Sequence, residues 1–281
     1  MANYPVQKID KFKLELKDAQ DVLYYPLEGS QEIIQPHSHN FLLLALVESG
    51  SGVHTIDFIK QEVGPKQLHI IFPDQVHTWK LGEDTKLYQL MIDRKISDVI
   101  INAFRFALSV YKKHPVLNLT DSEYEILLGE FNAQKKALAK EKTVKDLIVA
   151  RLWVIALLIS EIGERVFDDL TLYKAQPILI DYMALVEAHF LEERGIAFYA
   201  NILNITPNYL NILCKKYCQM KATDLINDRV LLEAKRMLIS GHSIKETAYE
   251  LNFADVAYFS RFFKLHTGKT PKEFRDMYVP S

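Results

Sequence analysis

Two hydrophobic periods divide the chain. From about residue 8 to residue 95, short apolar runs rich in β-branched and aromatic residues alternate partly with polar ones, as in "GVHTIDFIKQEVG" and "KQLHIIFPDQVHTWKL". Gly, Pro and Asp interrupt them, with "ESGSG" at 48–52 and "PDQ" at 73–75 as turn punctuation. Regular short strands of this kind predict an all-β sandwich or barrel. From residue 96 the period becomes helical. Thr120 and Glu123 have capping-box spacing ahead of Tyr124, Leu127, Leu128, Phe131 and Leu138, which share one helical face. A second helix is predicted over about 143–167. Its Ile148, Leu152, Ile155, Ile159 and Ile162 follow the 4, 3, 4, 3 spacing of a heptad seam. Leu147, Trp153, Leu157 and Leu158 make other sides of the helix apolar, so a seam between two subunits is expected in preference to a helix buried within one.

"DDLTLYKAQP", 168–177, ends in a proline and reads as an interdomain linker. The expected organisation is therefore 1–95 as an all-β domain, 96–168 as a helical dimerisation region, 169–177 as linker and 178–281 as an all-α domain. The fold class is α+β and multidomain.

The all-α part contains an internal repeat. Ala200, Leu203 and Asn204 recur as Ala248, Leu251 and Asn252; Leu210, Leu213, Lys215 and Leu225 recur as Phe259, Phe262, Lys264 and Phe274. Each copy is a short helix with a small residue, a tight turn and a second helix, which is a helix-turn-helix. Thr206 with Pro207, and Asp255, are suited to start the second helices. Asn208, Asn211 and Lys215, then Ser260, Arg261 and Lys264, are left for the outer faces, and these side chains hydrogen-bond base edges or neutralise phosphates. A single polar helix face is usually just solvated; two tandem copies point to double-stranded DNA. The connecting helix, closed by Gly241 before a Ser243/Glu246 capping box, spans about 25 Å and sets the second helices about one DNA turn, near 34 Å, apart.

Composition refines this picture. The 281 residues carry a formal net charge of −2, are 49% hydrophobic and contain two cysteines, Cys214 and Cys218, too few for a disulfide framework. Residues 178–281 hold 13 Lys and Arg against 12 Asp and Glu, so any DNA-binding charge has to be gathered on one face. No secretory signal and no apolar run of about 18–20 residues is present, which predicts a cytoplasmic protein without membrane contact.

"SIKETAYELNFADVAYFSRFFKLHTGKTPKEFR" at 243–275, with "LNITPNYLN" and "LLEAKRML", resembles the DNA-binding domain of AraC/XylS-type transcription regulators over about 180–278. The first unit departs from the pattern where Gln219 replaces the glycine found at Gly268, and Lys221-Ala222 replaces Thr270-Pro271. "PHSHNFLLLALVESGSGVHTID" and "IFPDQVHTWKL" look like the two cupin motifs of such regulators. The resemblance implies a cupin-like barrel that senses a small-molecule effector, a homodimer, RNA polymerase as a partner, activation of transcription, and no catalytic residues. His37, His39, His77 and Trp79 are the candidate effector-binding residues. Three imidazoles are enough for zinc or iron in principle, but Leu43 and Leu44 stand where a metal cupin has its carboxylate. The expectation is accordingly no metal and no cofactor. The rival reading is a metal-dependent cupin enzyme fused to a DNA-binding domain; a third is a regulator whose barrel has no small-molecule effector.

Overall fold

A computed structural model describes residues 6–7, 21–106, 108–140, 145–167 and 177–278. The chain divides into two compact units, Pro5–Phe167 and one holding Asp168–Ser281. The expected linker lies outside the described residues except for Pro177.

In the first unit, one sheet has the strand order β1 (Val6–Gln7), β3 (Gln31–His39), β8 (His77–Leu81), β5 (Gly52–Ile56), β6 (Ile59–Val63). The second has the order β10 (Val116–Asn118), β7 (Gln67–Ile71), β4 (Leu42–Ser49), β9 (Lys86–Ile92), β2 (Val22–Glu28). Among the described pairings only β1 with β3 is parallel. The run "FLLLALV" forms the central β4, buried along nearly its whole length, because a strand paired on both edges and covered on both faces has no solvent side. The sheets meet through two apolar clusters: Leu23, Phe41, Leu43, Ile56, Ile71 and Met91, and Leu27, Val47, Val63, Trp79, Leu81 and Leu87. The β5–β6 turn places Asp57 and Phe58 at positive φ (45° and 72°), and the Asp57 carboxylate accepts from Gln75 Nε2 and the Val76 amide. That tie fixes the "PDQ" loop against the hairpin.

Among the described residues, four α-helices belong to this unit: α1 (Arg94–Ile100), α2 (Leu108–Lys113), α3 (Asp121–Leu138) and α4 (Lys145–Val166). Helices α2, α3 and α4 pack against β7, β2 and β10 of the second sheet, respectively. The Thr120/Glu123 capping box forms, with both reciprocal bonds present. The seam expected between subunits is corrected by the packing. Leu152, Ile155, Ile159 and Ile162 are all at most 4% exposed within a single chain, and Ile148 is half-buried, so this face is already spent on the unit's own core. What remains exposed is a different stripe, Leu147, Ala150, Val154 and Leu157, again at 3, 4, 3 spacing.

The second unit is helical: α5 (Pro177–His189), α6 (Ile196–Ile202), α7 (Pro207–Cys218), α8 (Ala222–Ile239), α9 (Ile244–Glu250), α10 (Val256–Thr267) and α11 (Pro271–Tyr278). Pairs α6–α7 and α9–α10 are the two helix-turn-helix units. Ala200 and Ala248 are fully buried where the helices of each pair meet, and the turns repeat down to the bond: Ile205 N–H to Ala200 O at 3.0 Å, Phe253 N–H to Ala248 O at 2.9 Å. Asn204 and Asn252 take the left-handed conformation in both turns (φ 54° and 57°), which asparagine tolerates better than most residues. Helix α8 packs against α5, α7, α9 and α11, and so holds both units. Arg194 adds a direct tie, donating to the Leu251 carbonyl with its guanidinium 3.8 Å from the Phe253 ring centroid.

The departure at Gln219 leaves the turn unchanged. Gln219 (φ 56°) and Gly268 (φ 74°) both adopt the left-handed conformation after their helices. A side chain there costs about 1 kcal/mol or more. Gln219→Gly is therefore expected to raise the unfolding free energy of the C-terminal unit in a urea titration by about 1 kcal/mol, whereas Gly268→Gln lowers it. Among the described residues, no helix is long and apolar enough to cross a membrane.

Candidate functional site

The first site candidate is the outer face of α7 and α10. Both helices are capped as their sequences require: Thr206 Oγ1 accepts from the Tyr209 amide at 3.1 Å, and Asp255 Oδ1 from the Tyr258 amide at 2.6 Å. Leu210 and Leu213, and Phe259 and Phe263, are buried, which turns Asn208, Lys215, Arg261 and Lys264 to solvent. Asn211 and Ser260 are placed differently. Asn211 is half-buried and its Oδ1 accepts from the Ala222 amide at 3.0 Å, capping the start of α8. Ser260 is half-buried with its hydroxyl on the Val256 carbonyl at 2.8 Å. Three exposed residues that sequence reasoning passed over share the outer face: Tyr209, Ile212 and Tyr258, 43%, 52% and 51% exposed. The signal was available, since Tyr209 and Tyr258 repeat at the same offset of 49 as Lys215 and Lys264.

Cys214 is buried and Cys218 half-buried on the same helix. Burial, with Cys218 adding, pushes the Cys214 thiol up to about 12, which keeps it a protonated packing group.

The second candidate lies inside the first unit. Strand alternation puts His37 and His39 on one face of β3, and β8 pairs His77 opposite His37. All three are at most 4% exposed, and one ring nitrogen from each lies within 4.8 Å of the others. Two further histidines, not anticipated from the sequence, complete a layer. His54 on β5 contacts His77 Nδ1 through its Nε2 at 2.9 Å, and His69 on β7 of the facing sheet through Nδ1 at 2.9 Å. Ala45, the one small residue in "FLLLALV", pairs with His69 and leaves room for this layer. Trp79 lies beside it, tilted 55° to His54 at 5.4 Å between ring centroids, and its buried Nε1 has no hydrogen-bond partner among the described residues. Such a donor costs about 1–3 kcal/mol until an acceptor meets it.

Burial holds four of these imidazoles neutral. It lowers His69 to about 4 and, with His37 adding, His39 to about 3; His54 and His77 are lowered well below the ordinary histidine range, with burial first and neighbouring imidazoles second.

Comparison with known proteins assigns both units. Residues 21–93 match the family described as AraC-like ligand binding domain, and residues 199–277 match a helix-turn-helix domain family. The chain is 34% identical over 84 residues to an uncharacterized HTH-type transcriptional regulator, YijO, of Escherichia coli K12, a match covering 29% of this chain and 28% of that one. It is 28% identical over 96 residues to an uncharacterized HTH-type transcriptional regulator in the cgkA 5′ region of Pseudoalteromonas carrageenovora, covering 33% and 55% respectively. These matches thus span less than two thirds of the curated relatives' lengths. Among solved structures, ToxT from Vibrio cholerae O395 aligns over 92% of this chain and 98% of its own with 15% identity and a TM-score of 0.44.

A strand-built unit matching a ligand-binding domain family is thus followed by a double helix-turn-helix unit. In both units the chain resembles regulators of the AraC type.

Proposed function

We propose that the protein is a sequence-specific DNA-binding regulator whose α7 and α10 enter two successive major grooves. The observation that carries this is the repeat of exposed positions: Asn208, Tyr209, Ile212 and Lys215 on α7 correspond to Ala257, Tyr258, Arg261 and Lys264 on α10. The residues α7 and α10 present differ, so the two half-sites differ in sequence. Helix α8, 18 residues and about 27 Å long, sets the spacing at roughly one DNA turn of 34 Å. Asn211 and Ser260 act in this reading from the turn and the helix backbone, shaping the face more than contacting bases.

The N-terminal unit is the effector domain, with His37, His39, His77 and Trp79 in its interior. The protein acts in the cytoplasm as a homodimer, and the exposed stripe Leu147, Ala150, Val154 and Leu157 meets its copy along α4; the heptad spacing suits helix-on-helix packing. DNA-bound dimers contact RNA polymerase and activate transcription. Catalysis has no part in this account.

Arg261 and Lys264 test the docking. Arginine's planar fork holds guanine O6 and N7 together, so Arg261→Ala is expected to cost about 1–3 kcal/mol and to relax specificity at one base pair. Lys264, one turn further along, faces the backbone; Lys264→Ala weakens binding to all sequences alike and reduces the salt slope by about one. Fluorescence anisotropy with single-base operator variants at several salt concentrations reads both. A uniform loss for Arg261→Ala with altered base preference for Lys264→Ala would mean the helix docks the other way round.

A further inference from the structure

We propose that His37, His39 and His77 bind a divalent, imidazole-preferring transition-metal ion of the zinc class, and that this ion is the effector of the N-terminal unit. The second clause rests on the regulator reading given above; the first does not.

The Gly64 amide can only donate, and it donates to Gln67 Oε1 at 2.8 Å, which fixes that atom as the amide oxygen. His69 Nε2, 3.2 Å from the same oxygen, therefore carries a proton. A neutral imidazole has one N–H, so His69 Nδ1 is a bare lone pair and the proton between it and His54, at 2.9 Å, sits on His54 Nδ1. His54 Nε2 is then bare and accepts from His77 Nδ1 at 2.9 Å. His77 is left with its Nε2 lone pair aimed into the cluster, 3.2 Å from His39 Nε2. The proton order runs from one backbone N–H through three neutral rings with one N–H each.

This is the state a metal-binding imidazole requires: one ring nitrogen engaged as a donor to an outer group that fixes tautomer and ring orientation, the other nitrogen bare. The spacing fits as well. Two nitrogens each about 2.0–2.1 Å from a tetrahedral zinc ion stand about 3.3 Å apart, close to the 3.2 Å between His77 and His39. His37 completes three ligands, its ring 4.3 Å from that of His77. In the metal-free layer the proton between His39 and His77 belongs to His39 Nε2, so binding through both Nε2 atoms moves it to His39 Nδ1 and leaves the ring neutral. The missing carboxylate changes the site's charge and leaves a coordination position open: Leu43 is packed in the apolar cluster, so all three ligands are neutral.

The experiment uses the full chain after chelator treatment. One equivalent of Zn²⁺ is expected to remain after gel filtration, and Co²⁺ to give the visible bands of a low-coordinate, nitrogen-ligated ion. His39→Ala abolishes both signals. His54→Leu, which removes the acceptor that orients His77, weakens Zn²⁺ binding about 10–100-fold in a chelator competition. Less than a tenth of an equivalent in the wild-type chain, or a Co²⁺ spectrum untouched by His39→Ala in a folded variant, overturns the metal site. The wild-type Co²⁺ spectrum decides alone if the variants fail to fold. Anisotropy on operator DNA with and without Zn²⁺ then addresses the effector role: a change in affinity supports it, and equal affinity overturns it while the site stands. Absence of DNA binding in both forms counts against the regulator reading and leaves the stoichiometry to judge the site.

Discussion

Ile155→Asp is expected to unfold the N-terminal unit, whereas Leu157→Asp, two positions away on the same helix, is expected to leave it folded and to turn the proposed dimers into monomers. Ile155 is fully buried between α4 and the rest of its own unit. An unpaired carboxylate there forfeits the burial of a large side chain and costs about 3–5 kcal/mol for the buried charge, a large share of a domain's net stability of about 5–15 kcal/mol. Leu157 is 37% exposed, so a carboxylate at that position stays hydrated in the monomer and is desolvated only when two stripes meet. Circular dichroism and sedimentation equilibrium on both variants read the contrast. Folded monomers from Ile155→Asp, or folded dimers from Leu157→Asp, would return the subunit contact to another surface.

Acid destabilises the same unit steeply. In chelator-treated protein His69 and His39 are held neutral with values lowered to about 4 and about 3, against about 6.5 in the unfolded chain. A lowered value means that the unfolded state takes up protons first as pH falls. The stability these groups contribute is therefore fully present above about pH 6.5 and is withdrawn below it, down to their folded-state values. At pH 5 each withdraws roughly 2 kcal/mol, and His54 and His77 act in the same direction. Urea titrations at pH 7.5 and pH 5 are expected to show the transition of the N-terminal unit moving by several kcal/mol. A midpoint indifferent to pH, or a His69→Gln variant with the full wild-type dependence, would contradict a neutral, buried histidine layer.

Local chemistry made much of this structure legible in the sequence. Capping boxes at Thr120 and Ser243, the Pro207 helix start and the repeated Leu-Asn turns are decided within a few residues, and each appears where the pattern puts it. Which apolar face of α4 points inward is decided by what packs on it from strands far away in sequence, and the helix carries two heptad stripes of similar spacing. The more apolar stripe went to the subunit's own core. The histidine layer was half legible for the same reason. His37-x-His39 announces itself by spacing and His77 by its motif, but His54 and His69 reach the layer only through pairing of β5 with β8 and stacking of the opposite sheet. Asn211 looked like a base-reading residue because its type and helix position suit that role; the Ala222 amide, eleven residues on, claims it instead.

Selection of binding sites from random duplex DNA, followed by footprinting of the enriched sequence, tests the central claim most directly. The account predicts an enriched motif with two unlike half-sites about one helical turn, roughly 10 base pairs, apart, protected on one face of the duplex by a single chain. No enrichment over random sequence, or a single half-site that is unaffected by Arg261→Ala, would contradict it.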